Sequence, residues 1–160
     1  MSYFGPTNFG LAGAAQFSWW TFIDGSSVVA RLMCGTALGA AWDLGAGIDI
    51  ILPVLGASAA LSNLVLVYDL HIHAIRSGLT PTTSGDIYGA GGLTYTFGAG
   101  VATAQYQPYF WTMYTIAGGT LSTGDSLQIY FRRQGGHASD TLAQTMGLVQ
   151  PWLVGTRKQV

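Results

Sequence analysis

The sequence contains no glutamate and a single lysine, Lys158, two residues from its end. Charged residues make up 8% of the chain, against roughly 25% in an average globular domain. Glu and Lys are the residues that build solvated helix faces, so their absence argues against a helical protein. There is one cysteine, Cys34, which excludes an internal disulfide. No basic stripe occurs: Arg132-Arg133 and Arg157-Lys158 are isolated pairs, so no nucleic-acid partner is expected. Net charge is −1, and a chain so close to neutrality has little electrostatic protection against association.

What is present fits short strands and tight turns. Glycine, at 23 of 160 residues, is about twice as frequent as usual. Apolar and β-branched runs are separated by connectors such as SGLTPTTSGD and GAGGLT. Strands are expected at Phe17–Ile23, Ser27–Met33, Ile48–Leu52, Asn63–Arg76, Leu93–Phe97, Tyr109–Ile116, Ser126–Arg133 and Thr145–Val154. That spacing predicts one all-β domain over 1–160, an antiparallel β-sandwich of about eight strands wound as a single jelly roll. The run CGTALGAAW, Cys34–Trp42, is expected to form a short helical turn, and the glycines Gly89–Gly92 and Gly98–Gly100 to form turns. Residues 1–23 carry no charged side chain and no basic start of a signal peptide. They are expected to form an N-terminal arm reaching onto a neighbouring subunit. The uncharged residues 50–68 nearly reach bilayer length. Pro53, Gly56, Ser58, Ser62 and Asn63 break that run, which predicts two strands and a turn rather than a membrane helix.

The stretch YDLHIHAIRSG places Asp69, His71 and His73 at alternate positions, on one face of a strand. Two histidines so spaced resemble the H-x-H of cupins, which would imply a metal. The cupin pattern also needs a nearby Glu, and the chain has none; His137, in QGGHASD, is the one remaining histidine. The opposite face of the same strand, Leu64 to Ala74, is apolar, so the histidines should face outward. No metal, cofactor or catalytic site is expected. Cys34 lacks a defined catalytic context, and no G-x-S-x-G elbow or P-loop occurs. Trp19, Trp20, Trp42, Trp111 and Trp152, with the cluster Tyr106, Tyr109, Phe110, Trp111 and Tyr114, suit core and interface packing. A sugar platform is the alternative use of such rings.

The segment Leu121–Val149 has a definite grammar. Ser122–Asp125 is a turn, Ser126–Arg133 a strand, Gln134–Ser139 a glycine loop, and Asp140 can pair with Arg132 or Arg133. In Gly124, Asp125, Leu127, Arg132, Gly135, Asp140, Thr141 and Leu142, it resembles the C-terminal hairpin of small β-sandwich structural proteins of bacteriophage particles. These include capsid, head-decoration and tail-fibre modules. IDIILP, Ile48–Pro53, resembles an early strand of such modules, and the likeness extends loosely from Ile48 to Leu153. The resemblance implies a non-enzymatic structural protein located in the virion. Its partners would be copies of itself and other virion proteins. A carbohydrate- or receptor-binding sandwich, with a host surface glycan as partner, is the first alternative. A cupin-like metal-binding protein is the second.

Overall fold

Wherever apolar residues recur at every second position, the chain runs extended. The fold is described from a computed structural model covering residues 7–9, 17–22, 31–56, 59–76, 86–143 and 145–158. Its strands are β1 (Thr7–Phe9), β2 (Phe17–Phe22), β3 (Arg31–Ala37), β4 (Ile48–Gly56) and β5 (Val65–Ile75). They continue with β6 (Asp86–Thr96), β7 (Tyr109–Ile116), β8 (Ser126–Arg133), β9 (Met146–Leu148) and β10 (Trp152–Gly155). No helix occurs among the described residues. Every strand pairing is antiparallel.

The strands form two sheets. The larger has the order β1-β2-β9-β4, with β7 on the far side of β4 and β10 continuing along β4 beside β9. The smaller has the order β3-β8-β5-β6. Together they make a β-sandwich, and its core reads directly from the alternation of side chains. Ile48, Ile50, Leu52 and Val54 point inward from β4, and Leu66, Tyr68, Leu70, Ile72 and Ala74 from β5. Leu127, Ile129 and Phe131 of β8 join them. The sheets lock together through rings. Tyr68 of β5 meets Trp111 of β7 edge-on, with centroids 5.0 Å apart, and Phe131 stacks on Tyr68 at 5.4 Å. Such pairs add about 0.5–1.5 kcal/mol each beyond the area they bury.

Two irregularities explain otherwise awkward residues. On β7, Trp111, Met113 and Ile116 are all buried although the last interval is three residues. The register skips there, from Ile50↔Tyr114 to Ile51↔Thr112, so a bulge restores the inward phase. Pro53 lies inside β4, which is flanked by strands on both sides. Its carbonyl accepts from Val149 N at 3.0 Å. A strand residue's N and C=O point to the same side, so the missing N–H faces Val149–Pro151, the break between β9 and β10. The proline thus lies where the ladder is interrupted.

The structure shifts several sequence expectations. Of the expected Ser27–Met33 strand, Arg31–Met33 lie in β3 and residues 27–30 lie outside the described residues, while Cys34–Ala37 continue as strand instead of a helical turn. In β3, Cys34 is in register with Ile129 of β8, so pairing overrides the local propensity of an Ala-rich run. Gly89–Gly92 lie within β6 rather than in a turn. The last strand is split at Val149–Pro151. Residues 50–68 form the rest of β4, a connection and the start of β5. No helix among the described residues is long and apolar enough to cross a membrane. Within the expected N-terminal arm, Thr7–Phe9 and Phe17–Phe22 pair with one another, and β2 pairs with β9 of the same chain. The rest of residues 1–23 lies outside the described residues.

Candidate functional site

The outer face of the smaller sheet carries the Asp69, His71, His73 row. Burial of Leu70 and Ile72 on the inner face forces these three outward. Asp69 is itself 4% exposed, because its neighbours close over it. One of its oxygens pairs with Arg132, across β8, and the other accepts from Gln134 Nε2 and from Gly92 N at 3.0 Å. Both carboxylate oxygens are therefore committed within the chain. The imidazoles of His71 and His73 lie parallel, centroids 6.4 Å apart, and Tyr130 meets His71 edge-on at 5.4 Å.

The glycines of β6 make this packing possible. A Cβ on Gly89 would stand 3.0 Å from His71 Nδ1, and one on Gly91 would stand 3.0 Å from Asp69 Oδ1. Gly92 has φ +67 at the register skip between Tyr68 and Leu70, a left-handed bulge position that suits glycine. Side chains of β5 thus lie across a bare backbone strip. His137 is not part of this row. It sits in the turn after β8, where its Nδ1 accepts from Ser139 N at 3.1 Å. No group of three or more His, Cys, Asp or Glu poised for a metal occurs among the described residues.

Asp140 pairs with Arg133, not with Arg132. Arg133 Nη2 donates to Asp140 Oδ1 at 2.9 Å and also to the carbonyl of Leu142. Both side chains of the pair are almost wholly buried. Asp140 Oδ2 accepts from Val67 N at 3.0 Å, and Thr141 Oγ1 from Val65 N at 2.8 Å. Val65 and Val67 lie beyond the reach of the β5–β8 ladder, which ends at Tyr68↔Arg133. The Asp-Thr-Leu segment therefore substitutes for a neighbouring strand. A second clasp joins Arg76 to Asp125 through bonds of 2.7 and 2.6 Å, with Ser122 N donating to the same carboxylate at 2.8 Å. The Arg76 guanidinium, helped by Ser122 N, holds the Asp125 carboxyl below the usual carboxylate range against the opposing effect of burial.

The aromatic residues divide between core and surface. Burial pushes the Tyr68 hydroxyl up to about 12. Tyr95 is raised further, by burial and then by its 2.9 Å bond to the Tyr109 hydroxyl. Phe110 and Trp152 face outward from the larger sheet, 53% and 49% exposed, with Val154 at 51% beside them. They stack at 5.2 Å although they come from β7 and β10, on opposite sides of β4. The alternation around Trp111 signals an outward Phe110. Nothing local in the sequence brings Trp152 to it.

No protein-family model matches the chain, and no curated protein matches it. Among solved structures, a chain of the infectious bursal disease virus Gx strain structure aligns with 93% of this chain, at 12% identity and TM-score 0.31. This chain spans 37% of that one. A likeness so distant carries no weight for function.

Proposed function

We propose that the chain is a non-enzymatic structural component of a virus particle, specifically a bacteriophage virion, acting by self-assembly and by contacts with other virion proteins. The observation that carries this reading is the strand order. β2-β9-β4-β7 lies opposite β3-β8-β5-β6, and from β2 to β9 every connection except β5 to β6 crosses between the sheets. That winding suits a jelly roll of two Greek keys, an architecture used by viral capsid domains, lectins and cupins. The outward placement of His71 and His73 weighs against the cupin use, which needs ligands inside the barrel. The low charge of the chain and a larger sheet with one charged strand residue favour assembly over life as a dispersed monomer.

Negative-stain electron microscopy of the purified chain at increasing concentration tests the proposal. Rings, shells or fibres of regular repeat are the expected outcome. A field of single small particles at every concentration would count against it. The Phe110–Trp152 pair supports a second reading, a carbohydrate- or receptor-binding module. Glycan-array binding that Trp152→Ala removes would favour that reading.

A further inference from the structure

The strands of the two sheets differ in charge. The smaller sheet carries Arg31, Asp69, Asp86, Arg132, Arg133 and two histidines in its strands. The six strands of the larger sheet carry one charged residue between them, Asp49. Thr115 Oγ1 donates to Asp49 at 2.6 Å. Phe110, on the edge strand β7, and Trp152, on β10, stack across β4, where Phe110 is in register with Pro53 and both Thr112 and Trp152 with Ile51. Val154 extends the same row.

We infer that the outer face of the larger sheet is the contact surface for a second copy of this chain, packed face to face with the Phe110–Trp152 stack as its aromatic anchor. The inference rests on the assembly reading above and names the surface that serves it. Size is compatible with it. At ~3.4 Å per residue and ~4.8 Å between strands, the six strands of this sheet span about 540 Å², roughly two thirds of the ~800 Å² per partner of a stable interface before any flanking loop is added. Charge supports it. A partner recognised by ion pairs would find one carboxylate already engaged, whereas a second copy of this face brings only its own Asp49, likewise bonded to Thr115, and so little like-charge repulsion. Sheets also pack readily on sheets, at about 10 Å, and half-exposed aromatics are the side chains that most often dominate such contacts.

Sedimentation equilibrium of the full chain, with Trp152→Asp, Phe110→Asp and Thr112→Arg beside it, tests the inference. Thr112→Arg places a charge on the face without removing an aromatic ring, so it covers the case in which an aromatic variant fails to fold. The expected result is a wild-type chain that self-associates and variants that associate at least tenfold more weakly with unchanged circular dichroism. His71→Ala, on the opposite face, should associate as wild type does. A wild type that assembles together with folded variants that assemble equally well would overturn this surface while leaving the particle reading intact. A wild type that stays monomeric would overturn both. Monomers that bind glycan through Trp152 would give the face to a sugar instead.

Discussion

At the scale of single residues, the account depends on which polar groups are sealed inside. Arg133 and Asp140 are both buried, and Asp140 also accepts from the backbone of Val67 and Leu142. Asp140→Ala would take from the buried Arg133 its carboxylate and from the Val67 amide its acceptor. It should cost about 3–5 kcal/mol, read as a lowered urea midpoint. Tyr68 gives a prediction with a pH sign. Its folded pKa, about 12, lies above the unfolded value near 10. The unfolded chain therefore releases that proton first as pH rises. The stability Tyr68 contributes is complete below about pH 10 and is lost between about 10 and 12. Absorbance at 295 nm should show Tyr68 and Tyr95 ionising only as the fold opens. Their titration along with the exposed tyrosines in a folded chain would contradict the packing described. The pairing of Asp140 with an arginine is legible from the sequence, since the loop between them is short. Which of two adjacent arginines it takes is not, because alternation sends Arg132 outward to Asp69 and Arg133 inward only once the register of β8 on β5 is known.

At the scale of elements, apolar strands uninterrupted by glycine or proline are readable in advance, and those that carry them are not. β7 and β8 match the sequence expectation residue for residue, and the inner face of β5 is the apolar one. β6 was obscured by its glycines, whose reason lies in side chains from another strand, and β4 by a proline whose missing N–H falls in a gap left by a distant segment. Both depend on contacts far away in sequence, beyond what local chemistry reports. Turn against turn gives a sharper case. A Cβ on Gly118 would stand 2.1 Å from the carbonyl oxygen of Gly45, and Gly119 N donates to Leu44 O at 2.7 Å. Gly118→Ala must part these turns and should cost about 1–3 kcal/mol. Gly136→Ala, with nothing within 4 Å of the added carbon, should stay within about 0.5 kcal/mol of wild type. Thermal melts of the two variants check the contrast.

At the scale of the molecule, composition and topology point the same way. A chain with 8% charged residues folds into a sandwich that gathers most of its strand charges on one sheet and leaves the other almost without them. The sequence announces the shortage of charge but not its segregation, which appears only when β9 and β10 are laid beside β4 and β7 on its other side. The central claim is that this asymmetry serves assembly rather than catalysis or metal chemistry. Native mass spectrometry of the purified chain tests it most directly, since one spectrum reports both copy number and bound metal. A face-to-face contact between identical sheets is two-fold, so the expected spectrum shows a metal-free dimer or a larger assembly built from such dimers. A monomer carrying one metal ion per chain would contradict it and return His71 and His73 to the centre of the protein's function.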